Sequence, residues 1–339
     1  MLVESSEPLA SAFDLALVDL DGVAYRGPEP IDHAAESLTT ARAGGMGLVF
    51  VTNNASREPE AVADQLSGLG IAAQPSEVMT AAQAAAAVLV DGLPAGSRVL
   101  VVGGAGLFTS VRAAGFTIVG SADDDPAAVV QGFSPDLGWR ELAEAAYAVQ
   151  RGAWHVASNL DMTLPNERGM APGNGSLVSV VRAATGVEPV SAGKPEPTMF
   201  QLAAQRRDAR RPLVIGDRLD TDLAGARAAG YAGLHVFTGV SSARDAVLAS
   251  SEERPTFLGA DLRSLLVPHP APTRGEGDWW SCGTAAAAVR DGALTIDRSA
   301  SSGITLDHVR AACAAVWSTV DDGASIDQAS VPDLAVTVD

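Results

Sequence analysis

Short apolar runs alternate with helical patterns from the start of the chain. Residues 15–20, Leu-Ala-Leu-Val-Asp-Leu, are nearly continuously apolar, the pattern of a strand buried on both faces. Ala34–Ala43 reads as a helix that stops at Gly44-Gly45, because glycine tolerates the left-handed backbone that ends a helix. Residues 48–52 predict a second strand, and residues 59–69 a helix closed by Gly70. The alternation returns late, with a strand at Pro212–Gly216, a helix at 222–229 closed by Gly230, and a strand at 234–238. Between these halves lie strand patterns at Arg98–Val102, 129–133 and 154–158, and a helix within 173–185. Units of this kind imply parallel sheets with right-handed crossovers. The expected fold class is α/β: a Rossmann-like parallel-sheet core built discontinuously from 1–80 and 190–266, with a second α/β domain inserted at 81–189.

After residue 266 the texture changes. Pro268, Pro270, Pro272, Gly275 and Gly277 mark a linker. Ala285–Arg290 and Ala293–Asp297 flank Asp291-Gly292, a two-residue hairpin signal. Leu306, Val309, Cys313, Val316, Trp317 and Val320 fall on one helical face, and residues 334–338 suggest a last strand. Residues 267–339 therefore predict a linker and a small α+β appendage. It weakly resembles a fragment of an acetyltransferase-like fold, but 270–339 contain no Gly-rich pyrophosphate loop, so a packing or regulatory role is expected.

Composition narrows the function. At 339 residues the chain has room for about two domains. With 47% hydrophobic and 19% charged residues it is neither disordered nor collagen-like. Lys+Arg 23 against Asp+Glu 41 gives a net charge of −18, which opposes binding to nucleic acid or an anionic membrane. An anionic substrate then requires a local cationic site. Cys282 and Cys313 suffice for neither a zinc cluster nor a disulfide scaffold, and the five histidines lack metal-ligand spacing. The first 14 residues carry Glu4 and Glu7 and no basic segment, and no apolar run reaches about 18 residues, so a cytoplasmic protein is expected.

Candidate chemistry clusters at predicted strand ends. Asp19-Leu20-Asp21-Gly22-Val23 sets two aspartates at i and i+2, one able to act as nucleophile and the other to handle protons. Thr52-Asn53-Asn54-Ala55-Ser56 offers a hydroxyl and exposed backbone N–H groups for phosphoryl oxygens, although asparagine and serine are also ordinary turn residues. Gly193-Lys194-Pro195 presents a constrained lysine able to neutralise phosphate charge, while most single lysines are solvated surface groups. Gly216-Asp217-Arg218-Leu219-Asp220-Thr221-Asp222 gathers carboxylates suited to an oxygen-ligated cation such as Mg²⁺, or simply forms an acidic loop. In open parallel sheets ligands bind at the carboxyl ends of strands, where all four pieces are predicted.

These four motifs, in this order, resemble the haloacid-dehalogenase-like phosphatases over residues 13–265. An insert between the Thr52 and Lys194 motifs is the position of a class II cap. With Asn159-Leu160-Asp161-Met162-Thr163-Leu164-Pro165, the phrases resemble the 4-nitrophenylphosphatase and phosphoglycolate phosphatase branch with an α/β (class IIA) cap. The appendage adds a likeness to actinobacterial glycerol 3-phosphate phosphatases. The resemblance implies a Mg²⁺-dependent phosphatase for a small phosphate monoester, acting through an aspartyl-phosphate. It implies Asp19 as nucleophile, Asp21 as general acid/base, and Thr52, Asn53 and Lys194 as phosphate binders. It implies Asp19, the Asp21 carbonyl, Asp217 and, through water, Asp222 around the metal. Asn159, Asp161 and Arg168, in the cap segment 159–170, are the candidate substrate contacts, or else loop-structuring groups.

Other readings stay open at this stage: phosphoglycolate, 4-nitrophenyl phosphate or a nucleotide as substrate, a mutase, or a phospho-accepting regulatory module. A dehalogenase is disfavoured because it needs neither Asp21 nor Asp217. Caps of this type often carry dimer contacts, which leaves a homodimer open. Gly103-Gly104-Ala105-Gly106 lacks the full dinucleotide fingerprint and reads as a cap turn, and Asn174-Gly175-Ser176 is a glycosylation sequon without meaning in the absence of secretion.

Overall fold

The computed structural model describes residues 1–166, 168–299 and 303–336. The chain forms two compact units, Met1–Leu48 with Arg206–Asp339, and Val49–Gln205.

In the first unit the strands Phe257–Gly259, Ala232–Val236, Pro212–Gly216 and Leu15–Val18 pair in parallel in that order. Leu15 stands opposite Pro212 and Gly216 opposite His235. Leu15–Val18 and Pro212–Gly216 are buried throughout, as their continuous apolar character requires. The predicted strand at 15–20 stops at Val18, and the one at 234–238 begins two residues early, because Ala232 and Gly233 join the ladder opposite Leu213 and Val214. The helix expected over 222–229 is a π turn, Leu219–Leu223, followed by the α-helix Ala224–Ala228.

The appendage belongs to this unit. Its antiparallel sheet runs Thr273–Arg274, Trp280–Cys282, Ala285–Arg290, Ala293–Asp297. Asp291 (φ 52°) and Gly292 (φ 77°) both adopt positive φ, the geometry of a tight hairpin turn whose twist matches its strands. The helix Leu306–Asp321 packs on this sheet and buries Trp317 completely. Two expectations are corrected. Val320 is 45% exposed, off the buried face, since it lies in the last turn of the helix. In 334–338 only Val336 pairs, through an isolated bridge to Ile304, while 337 and 338 lie outside the described residues. The proline-rich stretch is pinned: Ser5 and His269 exchange backbone hydrogen bonds of 2.9 Å, and His269 is buried. Cys282 and Cys313 are free and buried. Burial, helped by Asp307, pushes the Cys282 thiol up to about 12, and burial also raises Cys313, so neither is a thiolate near neutral pH.

In the second unit the strand Gly47–Thr52, which begins in the first, pairs in parallel with Val78–Thr80. A five-stranded parallel sheet has the order Val190–Ser191, Trp154–Ala157, Ala128–Gln131, Arg98–Val102, Thr117–Val119. The glycine run at 103–106 serves close packing. A Cβ on Gly106 would stand 2.3 Å from the Arg57 carbonyl oxygen, so only glycine lets the helix Ala105–Ala113 rest on the 55–57 backbone, where the Gly106 N–H donates to Ser56 O at 3.1 Å. Among the described residues no helix is long and apolar enough to cross a membrane.

Candidate active site

In the first unit, the three carboxylates expected around the metal meet. Asp19 follows the last residue of Leu15–Val18, and its N–H extends the ladder to Ile215 O at 2.9 Å. Asp217 follows the neighbouring strand directly. Asp19 is half-buried and Asp217 and Asp222 are buried, each offering a carboxylate oxygen within 4.8 Å of the others. The Asp21 side chain is exposed and is not one of the three.

The turns around this cluster explain its glycines. Gly22 adopts φ +84°, its N–H donates to Tyr25 O at 2.8 Å, and its carbonyl accepts from Thr238 Oγ1 at 2.6 Å. A Cβ on Gly22 would stand 2.4 Å from Asp217 Oδ2, and one on Gly239 only 1.8 Å, so two glycines form the cradle for that carboxylate. Asp217 Oδ2 accepts the Val240 N–H at 2.7 Å, and the Asp217 carbonyl accepts the Ser241 N–H at 3.0 Å. The π turn carries Asp222 back beneath its own strand end, where its Oδ2 accepts the Arg218 N–H at 3.2 Å. A Cβ on Gly216 would fall 2.1 Å from that of Asp222. Widened turns of this kind recur at functional sites. Asp220 turns away and binds Arg218 at 3.0 and 2.7 Å; burial alone would raise its pKa, but the Arg218 guanidinium outweighs it and holds the carboxyl low.

Three carboxylate oxygens brought this close repel one another unless a cation lies among them, and hard oxygen donors favour Mg²⁺ over softer metals. The donor set and its glycine cradle fit that ion.

In the second unit, Asn53 organises the other motifs. Its Oδ1 accepts the Lys194 N–H at 2.8 Å, and its Nδ2 donates to Asp161 Oδ2 at 3.0 Å and Lys194 O at 3.2 Å. Thr52 Oγ1 accepts the Asn54 N–H at 3.1 Å, and Lys194 Nζ lies 3.4 Å from Val51 O. Asn159 is buried; its Nδ2 donates to Asn53 O at 2.7 Å, and its Oδ1 accepts the Asp161 N–H at 3.1 Å. Asn159 and Asp161 thus both hydrogen-bond Asn53, which in turn binds Lys194. Arg168 is exposed in the turn of the hairpin Thr163–Asn166 and Gly169–Pro172, its N–H donating to Asn166 Oδ1 at 2.9 Å, and residue 167 is outside the described residues.

Sequence reasoning missed two groups. Asn174, set aside as part of a sequon, donates through Nδ2 to Asn159 O at 2.7 Å. The Gly239-Val240-Ser241 segment holds Asp217, and the strand-end rule applied to Ala232–Val236 would have found it. Truncating Asn159 to alanine leaves Asn53 O and the Asp161 N–H unpaired in a largely buried setting, which costs about 1–3 kcal/mol. The expected drop in melting temperature is about 2–4 °C, and an unchanged thermal melt would contradict this network.

The chain is similar to several known proteins. Two family models match the chain: haloacid dehalogenase-like hydrolase over residues 16–117 and HAD-hydrolase-like over 191–265. The D-glycerol 3-phosphate phosphatase of Mycobacterium tuberculosis is 50% identical over 257 residues, 76% of this chain and 72% of that one. An acid sugar phosphatase of Staphylococcus saprophyticus is 36% identical over 74% of this chain and 95% of its own length. The crystal structure of glycerol phosphate phosphatase from Mycobacterium tuberculosis in complex with magnesium superposes with a TM-score of 0.84 at 45% identity, covering 92% of each chain, so the likeness extends into the appendage. A thermostable NPPase from Geobacillus stearothermophilus gives a TM-score of 0.67 at 31% identity over 74% of this chain and 96% of that one. On its strand-end aspartates, its matching family models and its 50% identity to a curated phosphatase, this chain belongs to the haloacid dehalogenase-like hydrolases.

Proposed function

We propose that the protein is a Mg²⁺-dependent phosphatase that hydrolyses glycerol 3-phosphate to glycerol and phosphate. The observation that carries this reading is the convergence of Asp19, Asp217 and Asp222 at adjoining strand ends. The mycobacterial relative, named a D-glycerol 3-phosphate phosphatase, supports the substrate. We take 1–80 and 190–266 as the core, 81–189 as the cap and 267–339 as the appendage. We further propose a cytoplasmic enzyme without nucleic-acid partners, which the charge of −18 supports.

In this mechanism an Asp19 carboxylate oxygen attacks phosphorus in line, and the bond from phosphorus to the glycerol oxygen breaks. Asp21, initially protonated, gives its proton to the departing alkoxide. The Asp21 carboxylate then takes a proton from water as that water attacks the phosphorus. The Asp19–phosphorus bond breaks, releasing phosphate and restoring both aspartates. Exposure of Asp21 suits a group that exchanges protons with a leaving group and with water. Thr52 and the Asn53 backbone are assigned to phosphoryl oxygens, and Lys194 to balancing phosphate charge. Asp19, the Asp21 carbonyl, Asp217 and, through water, Asp222 would hold Mg²⁺, which would supply neutralisation of the charge carried by the carboxylate nucleophile and the anionic ester.

Residues 159–170 contain no aromatic side chain, so this segment has nothing on which a nucleobase would stack. Arg168 favours an extra carboxylate and keeps phosphoglycolate as the nearest competitor. The test is a panel of glycerol 3-phosphate, phosphoglycolate, 4-nitrophenyl phosphate and AMP, each with Mg²⁺ and with chelator. Glycerol 3-phosphate is expected to have the highest kcat/KM, at least about tenfold above AMP. A higher value for AMP would overturn the substrate assignment.

A further inference from the structure

The hydrogen bonds that hold Asp217 lead out of the site to the C-terminal appendage, within one compact unit. The Val240 N–H binds the carboxylate, and Ser241 acts twice: its N–H binds the Asp217 carbonyl, and its Oγ accepts the Leu219 N–H at 3.1 Å. Ser241 is itself held by His235, whose Nε2 lies 3.1 Å from the Ser241 carbonyl oxygen; a carbonyl only accepts, so Nε2 carries the proton. Ser242 follows at once as the N-cap of the helix Ala243–Val247, its Oγ accepting the Asp245 N–H at 3.2 Å.

A helix of five residues does not stand by itself. Ala243, Ala246 and Val247 share one apolar cluster with Val309, Cys313, Val316 and Trp317 of the appendage, and Leu219 and Leu223 of the π turn belong to the same cluster. Polar ties add to the packing. Trp317 Nε1 donates to Ala246 O at 3.2 Å, and Arg244 donates to Val331 O at 2.9 Å and Gln328 O at 2.8 Å. Arg254 lies over the Trp317 ring at 5.2 Å while gripping both Asp321 oxygens at 2.8 Å.

We propose that the appendage is a positioning element for the metal site. Helix Leu306–Asp321 and segment 328–331 fix the helix Ala243–Val247. That helix fixes the Val240–Ser241 backbone, which aims the Asp217 carboxylate. Ser241, Trp317 and Arg244 are positioning residues: they touch neither substrate nor metal. This role presupposes the magnesium site proposed above.

The test is calorimetric titration of Mg²⁺ into full-length wild type, Ser241→Ala, Trp317→Phe and Arg244→Met, all well below their melting temperatures. Trp317→Phe keeps most of the packing and Arg244→Met keeps the aliphatic stem, so both are built to fold. The Mg²⁺ dissociation constant is expected to rise about three- to tenfold in each variant, less than the roughly 10–100-fold of direct outer-sphere partners because these residues act one step further out. For Trp317→Phe and Arg244→Met the kcat at saturating Mg²⁺ is expected to stay within about twofold, because the reacting groups and the loop that holds Asp217 are untouched. Wild-type Mg²⁺ affinity in both Trp317→Phe and Arg244→Met, with only the melting temperature lowered, would reduce the appendage to a stabiliser and overturn the proposal. A wild type that binds no Mg²⁺ would overturn the magnesium site itself, and this role with it.

Discussion

Replacing Asp19 with asparagine is expected to abolish turnover while leaving the fold intact. An amide is close in shape to a carboxylate but does not form the acyl phosphate. Loss of at least about a hundredfold in kcat is expected, equivalent to about 2.7 kcal/mol of barrier. The fold is expected to survive because asparagine is nearly the same size and shape and the Asp19 backbone N–H still donates to Ile215 O. Removing one negative charge from the Asp19, Asp217 and Asp222 group also relieves repulsion in metal-free protein. The melting temperature without Mg²⁺ is therefore expected to hold or rise. Circular dichroism melts and phosphate-release assays on the same preparation check both parts. Activity above about a hundredth of wild type would remove Asp19 from the nucleophile role.

Asp217→Ala is expected to cost as much activity by a different route, with a readout separate from catalysis. A ligand that binds only the folded state stabilises it, by about 2.7 kcal/mol at one hundred times its dissociation constant. Wild type is therefore expected to melt several degrees higher in saturating Mg²⁺ than in chelator, and Asp217→Ala to lose most of that difference. The variant also leaves the Val240 N–H without its carboxylate partner, so some loss of intrinsic stability accompanies it. Calcium is expected to inhibit, since its longer and looser coordination would misplace the Asp19 oxygen. Equal melting temperatures with and without Mg²⁺ in wild type would contradict the metal assignment.

The parallel strands were legible because burial on both faces forces continuous apolar runs, as in Leu15–Val18, Arg98–Val102 and Pro212–Gly216. The hairpin at Asp291-Gly292 was legible because few residues tolerate positive φ at both turn positions. The three acids of the carboxylate cluster were legible because each follows or closely trails such a run. What the sequence concealed depends on through-space geometry. The π turn at Leu219–Leu223 has no periodicity signal, since Asp222 reads as a helix N-terminus as readily as it reads as a returning carboxylate. The use of Asn159 and Asp161 to hold Asn53, more than a hundred residues away, leaves no local mark. Nor does local sequence reveal that Trp317 donates to Ala246 and so joins the appendage to the helix beside the Asp217 loop.

The central claim is a covalent aspartyl-phosphate on Asp19, and trapping it is the most direct measurement. On the proposed mechanism Asp21→Ala removes the base that activates the hydrolytic water, while 4-nitrophenyl phosphate has a leaving group that needs no proton. Radiolabelled 4-nitrophenyl phosphate mixed with Asp21→Ala and Mg²⁺, then quenched in acid, is expected to leave label on the peptide that contains Asp19. That label should be released by hydroxylamine and be absent when Asp19 is also replaced by asparagine. Label on a peptide without Asp19, or nitrophenol released in stoichiometric amount with no labelled protein, would contradict the account.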